Sequence, residues 1–291
     1  MPRKLTLALP KGSLQEQTFR LLGKAGFQVR ASSRSYYPSI DDPEMETILV
    51  RAQDISRFVE RGTADAGLTG EDWVAENGSD VKAVANLAYA KQNLTPVRWV
   101  IAVPERSRIR SVKGLRGKRI ATELVNVTRK FLRRNGVKAT VEFSHGATEA
   151  KVPHLVDAIV ELTETGSSLR ANRLREIGTV ITSTTVVVAN RTAWQNPWKR
   201  RKLQNLTLLL QGAMDAEGKV CIKMNVPARR LDAVARVLPA LRQPTVSPLA
   251  DSKWVAIESV VDETVVRELL PSLKKAGAQG IIEFPLNKVI L

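Results

Sequence analysis

A single cysteine, Cys221, stands among 291 residues, together with only two histidines, His145 and His154. One cysteine excludes an intrachain disulfide framework and a thiolate-clustered zinc site, and two histidines make no histidine-rich metal centre. Long apolar runs are missing too. Nothing approaches the ~18 residues of a membrane helix. Leu5–Leu9 ends at Pro10-Lys11, too short for the core of a signal peptide. The resulting expectation is a soluble, cytoplasmic protein with no membrane partner. Acids are also scarce, with 29 Asp and Glu against 45 Lys and Arg, a net charge of +16. Hydrophobic content of 43% and charged content of 25% are ordinary globular values and exclude a disordered chain.

The charge is uneven. Arg98 to Lys138 holds 13 Lys and Arg against Glu105 and Glu123, whereas Gly212 to the end holds 11 basic and nine acidic residues. A basic stretch of this kind suits an anionic ligand, nucleic acid or small phosphates alike, or is a solvated face. Trp194, Trp198 and Lys199-Arg200-Arg201-Lys202 interleave aromatics with cations, and read as a solvated loop rather than a strand-binding platform.

Hydrophobic periodicity alternates strands and helices. Strands are expected at Leu5–Ala8, Ile48–Val50, Ala66–Leu68, Trp99–Val103 and Arg119–Thr122. Helices are expected from Ser13, with the Ser13/Glu16 capping-box spacing, from an Asp54 N-cap, from Glu71-Asp72, and over Thr128–Arg134. Asp72 reads as an ordinary helix-start acid. Such alternation predicts α/β layers with a mostly parallel sheet. After Gly212 the rhythm becomes β-α-β-β-α-β, a ferredoxin-like arrangement. It comprises strands at Lys219–Asn225, Thr245–Ser247, Trp254–Val260 and Gly280–Phe284, a helix with Pro227 at its first position, and a helix capped by Asp262. Cys221 reads as a small buried residue.

The segment Asp157–Leu169 carries the chemistry. An apolar strand ends in an acid, Glu161, and a loop of Thr165, Gly166, Ser167 and Ser168 enters a helix at Leu169. Amides at a helix N-terminus converge on one point and favour an anion there, glycine lets backbone approach it, and hydroxyls add donors. Glu161 can accept hydrogen bonds from sugar hydroxyls. The pattern resembles a phosphoribosyl-diphosphate (PRPP) loop, except that Leu162, not a second acid, follows Glu161.

Further segments occur in one order along the chain: Leu9-Pro10-Lys11-Gly12-Ser13-Leu14, Arg51 with Asp54-Ile55, Ala64–Gly70, Lys118–Glu123, Gly146-Ala147-Thr148-Glu149, Pro244-Thr245 and Ser247–Ala250. With the loop, they make the whole chain similar to the ATP phosphoribosyltransferase family in its long form, which joins ATP to PRPP in the first step of histidine biosynthesis. The resemblance implies a two-lobed catalytic part like a type II periplasmic binding protein. Lobe I is then 1–93 and 183–211, lobe II is 94–182, and an ACT-like regulatory domain is 212–291, with crossings near Asn93-Leu94 and Thr182-Ser183.

The resemblance also implies roles. PRPP falls to Glu161, Thr163, Glu164, Thr165, Gly166, Ser167, Ser168 and Leu169. ATP and pyrophosphate fall to Lys11, Gly12, Arg51 and Gly70, with Lys11, Arg51 and Glu149 as catalytic residues. Histidine, as feedback inhibitor, falls to Thr245, Asp251 and Ala276. Mg²⁺ is expected on the diphosphate, without a cage of protein side chains. Dimers assembling into hexamers are expected, with no separate regulatory subunit. Two other classes fit parts of the sequence: a solute-binding protein of the same two-lobed fold, and a basic nucleic-acid-binding protein.

Overall fold

The computed structural model describes residues 3–32, 34–87, 96–239 and 243–291. The chain forms two compact units, Met1–Gly23 with Phe27–Thr207, and Lys24–Gly26 with Leu208–Leu291. Among the described residues no helix is long and apolar enough to cross a membrane.

The first unit starts with β1 (Leu5–Lys11), α1 (Gln15–Ala25), β2 (Val29–Arg30), β3 (Ser39–Ile40) and β4 (Met45–Arg51). It continues through α2 (Ala52–Glu60), β5 (Ala66–Gly70), α3 (Glu71–Asn77) and β6 (Lys82–Leu87). A second group follows: β7 (Val97–Pro104), β8 (Arg119–Thr122), α4 (Val125–Arg134), β9 (Thr140–Phe143), β10 (Ala158–Thr163), α5 (Ser167–Ala171) and β11 (Leu174–Ser183). Then come β12 (Thr185–Ala189), α6 (Arg191–Gln195) and α7 (Pro197–Asp215).

Two five-stranded sheets result, ordered β4-β1-β5-β12-β6 and β11-β7-β10-β8-β9. The chain leaves the first sheet after β6 and returns to it at Thr184, between β11 and β12. The other expected crossing, near Asn93-Leu94, lies outside the described residues. Both sheets are mixed rather than mostly parallel. β1 is parallel to β4 and β5, and β8 is parallel to β9 and β10, whereas β12 and β7 pair antiparallel with all their neighbours. A parallel connection needs a helical crossover within one sheet. β7 and β12 enter from the other sheet, so no such crossover precedes them.

Buried apolar faces hold the layers. Ile55 and Val59 of α2 pack against Ala8, Val50, Val186 and Val188 in the first sheet. In the second, Trp99, Ile101, Ile120 and Val160 pack under Leu124 and Leu132 of the α4 side. Gly67 marks the tightest approach, since a Cβ there would lie 2.5 Å from Ile55 Cγ2 and 3.2 Å from Ala8. Gly67→Val is therefore expected to cost about 1–3 kcal/mol by overpacking. Calorimetric scanning reads this as a lowered midpoint, and an unchanged midpoint would mean that α2 and β5 have room to part.

Several local expectations are corrected. α2 begins at Ala52 with Arg51 at its N-cap, which places Asp54 in the first turn rather than at the cap. The basic run is helix rather than loop. It opens α7, where Lys199 donates to Asp65 at 2.5 Å and Lys202 pairs with Asp42 at 2.6 Å and Glu44 at 2.8 Å, while Arg200 and Arg201 are solvated as expected.

The second unit continues with β13 (Lys219–Pro227), α8 (Leu231–Val237), β14 (Thr245–Pro248), β15 (Trp254–Asp262), α9 (Glu263–Ala276) and β16 (Gln279–Pro285). Its sheet is antiparallel in the order β14-β15-β13-β16, which is the ferredoxin-like topology expected from the sequence. Pro227 ends β13 and a single 3₁₀ turn separates it from α8, so it is not the first residue of that helix. Asp262 sits at the N-cap of α9 without a side-chain cap bond and pairs with Lys219 instead. Cys221 is free and buried. Ile222, Met224 and Val226 alternate inward onto Ile257, Val266, Leu269 and Leu273.

Candidate active site

The Thr-Gly-Ser-Ser segment forms a tight turn between β10 and α5. Gly166 has φ +73, a left-handed conformation that side-chain-bearing residues rarely adopt. The turn is tied from both sides. Thr163 Oγ1 accepts the Gly166 N–H at 2.7 Å, and Arg170 Nη1 donates to the Thr165 carbonyl at 2.9 Å. Thr165, Ser167 and Ser168 are left exposed at the start of α5. Leu169 can offer only its amide, because its side chain is buried among Val100, Ala102, Ile159 and Leu174.

Glu149 reaches this turn from outside. It follows two left-handed residues, Gly146 at φ +68 and Ala147 at φ +48, and its Oε1 accepts the Ser168 hydroxyl at 2.6 Å. Ser144, Thr148 and Lys151 brace the segment, with Ser144 Oγ 3.1 Å from Thr148 Oγ1 and Lys151 Nζ donating to Ser144 Oγ at 2.6 Å.

Glu161 sits where β10 runs beside β8, whose next residue is Glu123. Burial raises the Glu161 carboxyl above its ordinary 4.5 to about 7, and the charges of Glu149 and Glu123 push the same way. The Leu162 amide, donating at 3.3 Å, opposes this only in part. Beyond it, Glu164 Oε2 is buried with no hydrogen-bond partner among the described residues.

The first sheet supplies the opposite chemistry. Lys11 and Arg51 are register partners at the carboxyl ends of the parallel strands β1 and β4, the end at which α/β sheets bind ligands. No carboxylate among the described residues pairs with either, and Lys11 Nζ lies 3.9 Å over the Tyr36 ring. Gly12 has φ +102, with open space where a Cβ would stand, so backbone is accessible beside the two cations.

These residues share one cavity of about 270 Å³. Of the residues expected at the site, Lys11, Gly12, Arg51, Gly70, Glu161 and Glu164 line it. Thr163, Thr165, Gly166, Ser167, Ser168 and Leu169 lie in the adjoining turn, and Glu149 meets them through Ser168. In the second unit, Thr245 lines a hollow with Gln243, Glu258 and Ser259, which neither Asp251 nor Ala276 lines.

Sequence reasoning passed over Asp72. It is 3% exposed, and its Oδ2 accepts the Trp99 indole N–H at 2.5 Å. Its backbone N–H donates to Ser183 Oγ at 3.0 Å. Burial raises its pKa against the opposing bond from Trp99. Its carboxylate also explains Gly70, where a Cβ would stand 2.0 Å from Asp72 Oδ1. Trp73, Trp99, Gln53 and Glu123 line the cavity too. Their signal is in contacts 26 or more residues distant in sequence, which no local pattern reveals.

Among the described residues no group of three or more His, Cys, Asp or Glu could hold a metal ion. The orphan Glu164 oxygen on the cavity wall nevertheless suits a hydrated divalent cation carried in on a polyphosphate.

Comparison with known proteins identifies the family. The HisG family model, ATP phosphoribosyltransferase, matches residues 51–212, and the HisG C-terminal domain model matches 216–288. An ATP phosphoribosyltransferase of Chlorobaculum parvum is 59% identical over 286 residues, covering 98% of this chain and 97% of that one. Its counterpart in Pelotomaculum thermopropionicum is 60% identical over 287 residues, covering 99% of both. Among solved structures, the ATP phosphoribosyl transferase (HisG:HisZ) complex from Thermotoga maritima superposes with a TM-score of 0.61 at 27% identity, over 71% of this chain and 98% of that one. With a family model spanning more than half its length and relatives near 60% identity end to end, the chain belongs to the ATP phosphoribosyltransferase family.

Proposed function

We propose that the cavity between the two sheets is where N1 of the ATP adenine attacks C1′ of PRPP. The N1 lone pair forms the new bond while the C1′–O bond to pyrophosphate breaks with inversion, giving N1-(5-phosphoribosyl)-ATP. The observation that carries this reading is the division of labour across the cavity, with Lys11 and Arg51, which pair with no carboxylate among the described residues, on one wall and Glu161 and Glu164 on the other. Lobe I, 1–93 with 183–211, holds ATP and the leaving pyrophosphate through Lys11, Gly12, Arg51 and Gly70. Lobe II, 94–182, holds PRPP.

Its 5′-phosphate rests on the hydroxyls of Thr165, Ser167 and Ser168 and on the amides of the Gly166 turn, while Glu161 accepts the ribose hydroxyls. Positive charge grows on the ribose and negative charge on the pyrophosphate as the bond breaks. Fixed charges therefore do most of the catalytic work. Glu161 faces the ribose, and Lys11 and Arg51 face the pyrophosphate. Glu149 acts by holding Ser168. Glu161 and Glu164 would hold a divalent cation, Mg²⁺ in this proposal, through water, and that cation would supply neutralisation of the diphosphate charge.

We assign 212–291 as an ACT-like domain that binds histidine, with Thr245, Asp251 and Ala276 as first candidates. The Thermotoga relative, solved as a HisG:HisZ complex, is covered almost entirely by 71% of this chain. The additional length here favours self-contained regulation without a separate subunit, in a homo-oligomer of dimers up to hexamers. The cytoplasm, where ATP and PRPP are made, is the location that fits.

Pyrophosphate release from PRPP, followed by coupled enzymatic detection, is the test. It is expected only when ATP is present, and histidine is expected to lower it. Release without ATP, or none with it, would reject the assignment. Tight, steeply salt-sensitive binding of nucleic acid in its place would favour the polyanion reading.

A further inference from the structure

Helix α4 of lobe II lacks a cap of its own. Leu124 stands at its N-cap, no side chain caps it there, and its first turn contains no acid. Four amides at a helix start have no partner within the helix. Two of them are satisfied from the other lobe. Glu76 of α3 accepts the Asn126 N–H through Oε1 at 2.9 Å and the Val127 N–H through Oε2 at 2.9 Å. Asn126 Nδ2 returns a bond to the Glu76 carbonyl at 3.0 Å.

This cap is one of three crossings made by α3, at residues 72, 73 and 76. Asp72 holds the Trp99 indole of β7, and Trp73 meets Trp99 edge-to-face at 5.8 Å and 87°. On its own side α3 is anchored, since Asn77 Nδ2 donates to the Gln53 carbonyl at 2.7 Å and to Ser56 Oγ at 2.8 Å. A helix fastened to lobe I thus ends in a carboxylate that completes a helix of lobe II. Asp72 and Trp99 line the cavity, whereas Glu76 lines the hollow beside it, which shares Arg51, Gln53, Trp73 and Glu123 with it.

We propose that Glu76 is a positioning residue, a latch between the lobes whose grip on α4 keeps Lys11 and Arg51 facing Glu161 and Glu164 across one cavity. The proposal rests on the active-site reading above but deepens it with a residue whose two carboxylate oxygens are both taken up by amides of α4. A carboxylate bonded to two helix amides, with the dipole behind them, is worth roughly a three- to thirty-fold equilibrium factor. Without it the closed arrangement is less populated. Apparent affinity falls in proportion to the fraction of competent enzyme.

Glu76→Ala is expected to raise KM for both ATP and PRPP about tenfold, while kcat at saturation stays within about threefold, because substrate binding itself draws the lobes together. The Trp73–Trp99 pair supplies an optical readout. Trp99 is 3% exposed, so loosening the pair shifts its emission to the red, and saturating PRPP shifts it back.

A second variant separates the latch from simple helix stability. Asn126→Asp in the Glu76→Ala background returns an acid to the first turn of α4 from within lobe II. Thermal stability is then expected to recover while both KM values stay high. Recovery of KM together with stability would overturn the latch. So would unchanged KM and emission in Glu76→Ala. A variant without any pyrophosphate release at saturating substrates would contradict the proposal as well. Loss of ATP-dependent release in the unaltered protein, by contrast, would strike the active-site reading and not the latch.

Discussion

Gly166→Val is expected to lower kcat/KM for PRPP by roughly 10²–10³-fold, the range seen when a transition-state contact or its alignment is lost. At φ +73 any side chain is strained, and a β-branched one most. A Cβ at this position also lies 2.9 Å from Arg170 Nη1 and 3.4 Å from Glu176 Oε1. Arg170 is flexible and exposed, so it can swing away, but doing so releases the Thr165 carbonyl that it holds. The backbone then relaxes toward negative φ, and the Thr163 hydroxyl loses the Gly166 amide. Hydroxyls and amides that converge on the 5′-phosphate diverge. Because the turn is on the surface and the β10 core is untouched, the variant is expected to stay folded, with a circular-dichroism melting curve within a few degrees of the parent. Gly166→Ala, with strain but no branching, is expected to lose less. Calorimetric titration with PRPP follows the same order. Full affinity for PRPP in a folded valine variant would remove the turn from the phosphate site.

The contrast between what local sequence revealed and what it concealed follows the reach of each interaction. The strand, acid, glycine and hydroxyls of 157–169 signal their arrangement because each acts on neighbours within three or four residues. The ferredoxin-like order of the tail was likewise legible from alternation and punctuation alone. Asp72 was not. A helix-start acid looks the same whether it faces water or, as here, a tryptophan indole of the other sheet. Asp54 and Pro227 carried the right residue types for a cap and a first helical position, but sheet register extended β4 to Arg51 and β13 to Pro227 and so displaced both. The antiparallel entry of β7 and β12 depends on which sheet the chain is leaving, which no window of residues reports. Part of the charge excess also finds partners only in three dimensions. Arg98 pairs with Glu176, Lys118 with Asp157 and Arg119 with Glu142. The basic stretch is thus less bare than its sequence count implies.

Glu161→Gln carries the other large effect, and it has two sides. In the protein without substrate the carboxyl titrates at about 7, because burial and the neighbouring charges of Glu149 and Glu123 disfavour its ionised form. Charge on this group is what the positive ribose of the transition state requires. For the parent, kcat/KM for PRPP is therefore expected to rise with pH through about 7 and level off above it. The glutamine variant, which keeps the hydrogen-bond acceptor but not the charge, is expected to lose about 10²-fold at pH 8 and to lose that rise. Stability runs the opposite way. A carboxyl whose folded pKa is raised contributes stability that is fully present below its ordinary 4.5 and is lost as pH climbs through about 7. At pH 8 the parent holds a buried charge that disfavours the fold, and glutamine does not. The variant is accordingly expected to melt higher than the parent at pH 8 and at the same temperature near pH 4, where both side chains are neutral. A site made for catalysis at the expense of stability behaves in this way. A glutamine variant that melts lower at pH 8, or a parent whose kcat/KM is flat between pH 6 and 8, would mean that Glu161 is held by its surroundings for structure, and the ribose would need another anionic partner.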